Sequence, residues 1–511
     1  MLSVKNSHAQ YQSFVSDFLT RYFISTGQHI TVLTRSSLVL KLWNADLTGI
    51  VQLIKNQYSN SNRGTPPKDA TAMFRSLILM TLTGETSIPN WVDSLRSDPF
   101  LAVLSGFLPA CFCSVKADDI PADSIPGVGT FYDFMDRLIR KDRILYKSKL
   151  RKSKRKPKKK QKKNQKLDSS KPGVVERLVD RVLKYDNSKL PDNLESTLNH
   201  ILKEVFVVPS LSMGILGDPN RFNIAGDGTC MPSHASPYGK KVCNCKLKSG
   251  ERCDCPRLFA DPSASWGWDS YNEHYFYGHT FHGFTACDSF YSLPIHIKCV
   301  SGERHDSVTA VYELKELVDL YPEINFYSAA FDSAYDASAF YLLNMHYGIK
   351  PIIDLNTRSP KPVAVDGLIE IDKNGVPHCK CLGHQLRNWG LMSKSYRRKW
   401  LFPVQCDTCN KCHAYSKKTF YTKTDENPRF FTPILRGSDE WKQLYKRRST
   451  TERVWDRINN DFHAESAVTY SKERRIARVF LGAFCCFIDA WACESTLSIT
   501  DIFPALSRFT A

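Results

Sequence analysis

The chain has 511 residues, of which 42% are hydrophobic and 12% aromatic, and its formal net charge is +18. This composition excludes a largely disordered chain, and the length allows two or three domains. The N-terminal residues lack the apolar segment of a signal peptide, and the apolar run from Val479 to Cys493 contains Asp489 and is too short to span a bilayer. We therefore expect a cytoplasmic protein with no membrane partner, in which this run is a buried helix.

Residues 1–140 show helical periodicity. Apolar residues recur at helical spacing between Thr71 and Phe107, Asp98 and Pro99 separate two helices, and Gly127 begins a third. Several short helices are typical of a small DNA-binding bundle, although a bundle alone says little about function. We interpret 1–140 as a helical N-terminal DNA-binding domain.

The positive charge is concentrated between Lys147 and Lys166, where eleven Lys and two Arg occur without an acidic residue. Because such a block cannot bury a core, we predict a flexible arm over 141–175. The arm would bind nucleic-acid phosphates with the salt dependence of counterion release. An inert linker, or a nuclear import signal in a eukaryotic host, explains the same composition.

From Arg221 the pattern becomes that of a sheet. RFNIAGDG predicts a strand that ends at Asp227, and 276–290 and 291–302 predict two strands joined near Asp288. The next elements are a helix from Asp306 to Tyr321, a strand ending at Asp332, a helix from Ser333 to Tyr347 and the strand GIKPIIDL. This order predicts an α/β fold over 176–511, a mixed sheet flanked by helices with the layout of the ribonuclease H-like fold.

Five polar residues suggest a chemistry. Tyr445, Arg448 and Glu452 are spaced by three and seven residues, so at about 100° per residue they would share one helix face. Together with Asp227 and Asp332, they supply carboxylates in the order that a two-metal phosphodiester site needs. A lone aspartate after an apolar run is more often a cap or turn residue, and such a helix face is more often a salt-bridged surface.

Seventeen cysteines without a secretory signal favour reduced thiols and metal binding over disulfides. Two cysteine-rich insertions, 243–255 and 378–413, are candidate zinc sites, although neither has a standard ribbon spacing and free cysteines on loops explain both. The first contains Cys243, Cys245, Cys253 and Cys255. The second contains His378, Cys379, Cys381, His384, Cys406, Cys409 and Cys412, with Cys379, Cys381, Cys406 and Cys409 as the candidate ligands.

The stretch from Asn427 to Asn460 resembles the third-carboxylate region of the DDE insertion-sequence transposases, whose signature is Tyr-x2-Arg-x3-Glu-x6-Lys. Tyr445, Arg448 and Glu452 match this signature in identity and spacing, while Asn459 stands in place of its final lysine. An asparagine at this position would offer DNA a neutral hydrogen bond instead of a charge.

Other segments resemble the same family. NIAGDGTCM is similar to its first-aspartate strand, and FDSAYDASAFY to its second-aspartate motif, which implies that Asp332 is catalytic and Asp336 a structural neighbour. The tripeptide His305-Asp306-Ser307 is similar to one often found between the two. The resemblance covers roughly residues 70–140 and 220–490.

The resemblance implies a DNA transposase that cleaves element ends and joins the 3′-hydroxyl to target DNA. Asp227, Asp332 and Glu452 would bind two Mg2+ ions, and Tyr445, Arg448 and Asn459 would contact DNA. The implied partners are double-stranded DNA, at element ends and target, and a second copy of the chain, forming a homodimer on DNA in the nucleoid. The alternatives are a ribonuclease H-like nuclease without strand transfer and a non-catalytic, zinc-containing DNA-binding protein derived from a transposase.

Overall fold

The N-terminal region is helical, as its sequence predicts. The computed structural model describes residues 2–59, 65–109, 122–139, 149–151, 172–184, 193–245, 253, 255–270, 272–356, 369–380, 383–393, 395–402 and 419–509. The first helices are α1 (His8–Leu19), α2 (His29–Thr34), α3 (Ser36–Trp43), α4 (Ile50–Ile54), α5 (Ala70–Leu82), α6 (Ile88–Ser97), α7 (Pro99–Ser105) and α8 (Val128–Leu138). Asp98 separates α6 from α7 as predicted, because its carboxylate caps α7 by accepting the Phe100 N–H at 3.0 Å.

Short elements connect this region to the sheet. Strands β1 (Phe107–Leu108) and β2 (Asp123–Ser124) pair in parallel. They are followed by β3 (Lys149–Arg151), α9 (Val174–Lys184), α10 (Ser196–Ile201) and α11 (Val208–Ser212).

A six-stranded mixed sheet carries the predicted acidic residues. Its region contains β4 (Phe222–Pro232), β5 (Arg257–Phe259), β6 (Ser265–Asp269), β7 (His274–Ala286), β8 (Leu293–Ser301), α12 (Asp306–Leu320), β9 (Phe326–Phe331), α13 (Ser338–His346) and β10 (Lys350–Ile353). The strand order is β10-β9-β4-β7, and β6 and β8 both pair with the other edge of β7. Strands β10, β9 and β4 are parallel, whereas β7 is antiparallel to β4, β6 and β8. The predicted mixed α/β sheet is confirmed.

The C-terminal region adds small sheets and the last helices. It contains β11 (Ile369–Ile371), β12 (Pro377–Cys379), β13 (Arg387–Met392), β14 (Arg397–Leu401), β15 (Thr419–Lys423), α14 (Asp439–Lys446), α15 (Ser449–Asp456), α16 (Lys472–Glu494) and α17 (Ile499–Ile502). Strands β13, β14 and β15 form an antiparallel sheet with its own small core around Trp400 and Leu386.

Helix α16 joins the two halves of the molecule. It is long and apolar enough to cross a membrane by length and composition alone, but 83% of its apolar window is buried within the protein. It packs against α5, where the rings of Phe74 and Phe484 lie 5.4 Å apart. The predicted buried helix is therefore confirmed, and the N-terminal helices and the sheet share one hydrophobic core.

Two predictions about local structure were wrong. Strand β4 does not end at Asp227 but continues to Pro232, because Asp227 to Pro232 stay paired with β7 from Gly283 to Gly278. The beginning of the Lys-rich segment is not a free arm either: Lys149–Arg151 forms β3, which pairs antiparallel with β5. The rest of the segment from Lys147 to Lys166 lies outside the described residues.

Candidate active site

Asp227 on β4 and Asp332, the residue directly after β9, lie at corresponding positions along two neighbouring parallel strands. The register of β4 and β9 pairs Ala225 with Ala330. Each aspartate is two residues beyond this pair, so both occupy the same face at the carboxyl edge of the shared ladder. The Asp332 carboxylate also caps the short turn after β9 by accepting the Ala334 N–H at 2.8 Å.

A third carboxylate, that of Asp306, lies against this pair. Asp306 begins α12, and a Cβ added at Gly228 would lie 2.2 Å from its Oδ1, so only glycine leaves room for the carboxylate beside Asp227. The pKa of Asp227 is raised to about 6, chiefly by burial and further by the charges of Asp306 and Asp332, against a hydrogen bond from the Gly228 N–H. Three acidic groups therefore repel one another here.

Glu452 is linked to Asp227 through Arg448. The Arg448 guanidinium lies 2.7 Å from Glu452 Oε1 and 3.7 Å from Asp227 Oδ2. The Tyr445 side chain contacts Arg448, and burial raises the pKa of its hydroxyl. The single continuous helix expected for these three residues was wrong, because the chain turns between α14 and α15 at Arg448, which is the N-cap of α15. The three side chains nevertheless come together.

Two tryptophans fix these helices on the sheet. The Trp455 indole N–H donates to the Asp227 carbonyl at 3.2 Å, and the ring covers Gly283, where an added Cβ would lie 3.0 Å from it. On α14, Trp441 stacks on Tyr445 with ring centroids 4.7 Å apart and shares a buried cluster with Ala225 and Ala330 of the sheet. The helix that carries Glu452 is thus attached directly to the strand that carries Asp227.

A fully buried polar network supports the site from behind. His282 Nε2 lies 2.9 Å from the Tyr335 hydroxyl, His282 Nδ1 is hydrogen-bonded to Glu313, and His296 Nδ1 lies 3.0 Å from the other oxygen of Glu313. Burial lowers the pKa of His282 to about 4, and burial raises the pKa of Glu313 to about 8. The network links β7, β8 and α12 to the turn after Asp332, so it holds that turn in place.

Sequence reasoning missed these supporting residues. His282 lies in an alternating apolar strand and Glu313 in an otherwise buried helix face, and each resembles part of an ordinary core element. Asp306 stands out in the sequence only as part of a tripeptide, which assigns it no role. A charged residue on the buried face of α12, opposite histidines at strand positions, is the signal that would have pointed to this network.

Asp336 and Asn459 have clear contacts of their own. Asp336 accepts two hydrogen bonds from Arg429, at 2.8 and 2.6 Å, and one from the Asn356 N–H at 2.9 Å. These bonds fix the loops around the site, which fits the structural part given to Asp336. The Asn459 amide donates to the Thr229 hydroxyl at 3.3 Å, so part of its hydrogen-bonding capacity is used within the protein.

The two cysteine clusters differ in what can be described. The sulfurs of Cys243, Cys245, Cys253 and Cys255 all lie within 4.8 Å of one another. In the second cluster, Cys381, Cys406, Cys409 and Cys412 lie outside the described residues. Cys379 is buried, and its N–H donates to the His384 carbonyl at 2.8 Å.

The acidic cluster has the chemistry of a divalent-metal site. Mg2+ prefers carboxylate oxygens, and a cation at this position would relieve the repulsion that contributes to the raised pKa of Asp227. In the structure, the Arg448 guanidinium supplies positive charge between Asp227 and Glu452. These donors are of the type that Mg2+ binds, but among the described residues only the four-cysteine group has its ligand atoms all within 4.8 Å of one another.

Comparison with known families agrees with this chemistry. Residues 224–488 match the model of the family described as Transposase DDE domain, which covers more than half of the 511 residues. Among curated proteins, none matches the chain. The matched range contains β4, β9 and the helices that carry Tyr445, Arg448 and Glu452. The chain belongs to the Transposase DDE domain family.

Proposed function

We propose that the chain is a DNA transposase of the Tyr-x2-Arg-x3-Glu group, with Asp227, Asp332 and Glu452 as its catalytic carboxylates. The observation that carries this proposal is the position of Arg448, which contacts both Asp227 and Glu452 while Asp332 lies at the matching position of the neighbouring strand. Arg448 thus links a helix-borne carboxylate to the strand that carries Asp227, and Asp332 directly follows the adjacent strand.

The sheet order supports a ribonuclease H-like fold. Along β8-β7-β4-β9-β10, the three strands that are earliest in the chain are antiparallel neighbours, and the two later strands continue the sheet in parallel with β4. Helix α12 connects β8 to β9, and α13 connects β9 to β10. In this arrangement the first and fourth strands of the fold carry the two aspartates.

The reaction consists of two phosphoryl transfers at one site. Water attacks a phosphodiester at the element end, the P–O3′ bond breaks, and a 3′-hydroxyl and a 5′-phosphate are released. The 3′-hydroxyl then attacks a target phosphodiester, and the target strand leaves with its own 3′-hydroxyl. Two Mg2+ ions held by Asp227, Asp332 and Glu452 would activate the attacking oxygen and stabilise the leaving one.

The chain's own residues position the DNA. Arg448 can bind a non-bridging phosphate oxygen through its planar guanidinium once its two carboxylates are neutralised. The Tyr445 hydroxyl, beside Arg448, would contact the flanking nucleotide, and Asn459 would add a neutral contact from the π-helical turn that follows α15. The buried His282–Glu313 pair keeps the Asp332 turn fixed during both steps.

Transposases act on DNA, and three regions of the chain would divide this work. The helical region 1–140 would bind element ends, 141–175 would add electrostatic contacts, and 176–511 would carry the chemistry. The active form would be a homodimer on DNA in the nucleoid, since two ends have to be processed together.

A cleavage assay tests the proposal. A plasmid carrying the gene with its flanking DNA is incubated with the purified chain and Mg2+, and nicked, cut and joined products are separated on gels. Asp227→Asn, Asp332→Asn and Glu452→Gln should each reduce cleavage by at least about 10³-fold, about 4 kcal/mol of barrier, without changing DNA affinity. The control is Asp439→Asn, whose side chain is 94% exposed on α14 and which should cleave normally.

Each alternative predicts a different product pattern. A nuclease without strand transfer would cut the ends but never join the 3′-hydroxyl to a second DNA. A non-catalytic DNA-binding protein would bind the flanking DNA and leave it intact with Mg2+, which would overturn the proposal.

A further inference from the structure

The loop between β4 and β5 brings four thiols together outside the acidic site. The Cys243 and Cys253 sulfurs lie 3.3 Å apart, those of Cys245 and Cys255 lie 3.4 Å apart, and all four are within 4.8 Å of one another. Each of these residues is half-buried, so the cluster is accessible to an ion from solvent.

The sulfur–sulfur distances, from 3.3 Å up to at most 4.8 Å, span the value expected for a metal-bound cluster. A tetrahedral zinc with sulfur at about 2.3 Å has sulfur–sulfur edges of roughly 3.8 Å. A disulfide needs about 2.05 Å, and the four residues are free cysteines. The Cys255 N–H also donates to the Cys253 sulfur at 3.4 Å, a contact that stabilises a thiolate ligand. We propose that Cys243, Cys245, Cys253 and Cys255 bind one structural Zn2+.

The cluster lies beside the start of the Lys-rich segment. Lys240 and Leu258 exchange backbone hydrogen bonds of 2.7 and 2.9 Å across the base of the cysteine loop. On the other edge of the same strand, β5 pairs with β3, where Leu150 is opposite Leu258. A zinc ion that closes the loop therefore fixes β5, and β5 holds β3.

A bound zinc ion would therefore hold the start of the positively charged segment against β5. The Lys-rich segment continues from β3 in the sequence, so the zinc ion would fix the position of its first residues, Lys149–Arg151. The loop itself is joined to the sheet through Ser233, whose hydroxyl donates to the Asp261 carboxylate at 3.0 Å just after β4. The zinc site is separate from the acidic site, to which none of the four thiols belongs.

Zinc content tests the site directly. The full chain is purified in reducing buffer, and zinc per chain is measured by atomic absorption. The double variant Cys243→Ser with Cys253→Ser should lose one equivalent of zinc relative to the unchanged chain, whatever the second cysteine cluster binds. Cys253→His should keep that equivalent, because one histidine replaces one thiolate in many structural zinc sites.

Cys493 provides the control for the zinc measurement. Cys493→Ser removes an exposed cysteine outside both clusters and should leave the zinc content unchanged. Equal zinc in the double variant, iron in place of zinc, or a Cys243–Cys253 disulfide in non-reduced peptides would overturn the site. If the double variant aggregates, Co2+ added to the metal-free chain should give the absorption of thiolate-bound cobalt, and its absence would also overturn the site.

Limited proteolysis tests the anchoring role. Trypsin should cleave after Lys149 or Arg151 roughly tenfold faster in the double variant, because cleavage follows the population of the unpaired strand. The Cys253→His variant should be protected like the unchanged chain. Equal rates in the zinc-bound and zinc-free chains would show that the ion does not hold β3.

Discussion

The acidic site and the four-cysteine cluster are built over very different distances in the chain. The Trp455–Asp227 hydrogen bond joins residues 228 positions apart, and the site forms only when α15 docks on β4. The cysteine cluster lies within one loop, with paired thiols 10 positions apart. The acidic site therefore depends on the common core, whereas the cysteine cluster depends on a short stretch of chain and on the Zn2+ ion that we propose for it.

The strongest test of this contrast is Arg448, which connects the acids of the core-built site. Arg448→Ala should lower the cleavage rate on the order of 10²-fold, about 2.7 kcal/mol, because the variant has no positioned charge at the reacting phosphate. Arg448→Lys should recover little of this, since a point charge cannot replace a planar guanidinium. Single-turnover cleavage at saturating DNA measures both.

The control for these two variants is Arg221→Ala. The Arg221 guanidinium lies 3.6 Å from the Glu440 carboxylate, and it is not part of the acidic site. It should cleave DNA normally. Full activity of the lysine variant would show that Arg448 acts only through its charge.

A second test concerns the free energy of unfolding, which is lowered because Asp227 is buried close to other acidic groups. Because folding raises the pKa of Asp227 from 3.8 to about 6, the folded chain binds this proton more tightly than the unfolded chain. Proton binding to Asp227 therefore stabilises the fold fully below pH 3.8, and this stabilisation is lost as the pH rises through about 6. In magnesium-free buffer at pH 7, Asp227→Asn should raise the free energy of unfolding by roughly 3 kcal/mol, because one pKa unit corresponds to about 1.4 kcal/mol.

Urea unfolding at pH 4 and pH 7 measures this difference, which should nearly vanish at pH 4. Asp439→Asn should behave like the unchanged chain at both values. A loss of stability in Asp227→Asn at pH 7 would mean that the charged carboxylate is stabilised by its surroundings.

The third test addresses the Lys-rich segment, which begins at β3 beside the cysteine cluster. Replacing residues 152–166 by a Gly/Ser segment of equal length removes ten positive charges and keeps β3. Affinity for any DNA sequence should fall roughly tenfold at moderate salt, and the salt slope should flatten by about 0.9 for each phosphate that the variant no longer neutralises. Binding titrations at several salt concentrations measure both quantities.

Cleavage at saturating DNA should survive this replacement, because no acidic-site residue lies in the segment. An unchanged salt slope would identify the segment as a linker. A variant that fails to bind one particular sequence only would identify it as a specific reader.

The smallest effect is expected where the helix meets the strand. Trp455→Phe removes the indole N–H that donates to the Asp227 carbonyl and keeps most of the ring packing. It should cost about 1 kcal/mol of stability and reduce cleavage roughly fivefold. Trp441→Phe is the matched control, because its indole nitrogen has no hydrogen-bond partner in the described residues. Equal effects of the two variants would show that ring packing alone fixes α15.

The order of strands and helices in the sheet was predictable from sequence. Buried runs such as Phe326–Phe331 and Lys350–Ile353 are short, apolar and separated by helices, so periodicity alone identifies them. The end of β4 was not predictable in this way. Its residues beyond Asp227 are mixed in polarity, and they stay extended because β7 pairs with them.

The sequence was enough to propose Asp227, Asp332 and Glu452 as candidate carboxylates, but it did not point to the residues that support them. Spacing suggested that Tyr445, Arg448 and Glu452 act together, although it did not reveal the turn at Arg448, because the three residues keep helical spacing across it. The buried His282–Glu313 pair depends on the packing of α12 against β7, which no local pattern encodes. Long-range contacts of this kind are what a single sequence leaves open.

The packing of α5 against α16 has a consequence for synthesis on the ribosome. The Cys485 thiol donates to the Ile78 carbonyl at 3.8 Å, so partners 407 positions apart lie side by side in the finished core. At about 5–20 residues per second, α5 emerges roughly 20–80 s before the helix that covers it. During that interval an almost wholly apolar helix lacks its final neighbour, so the nascent chain should be a substrate for chaperones that bind apolar segments.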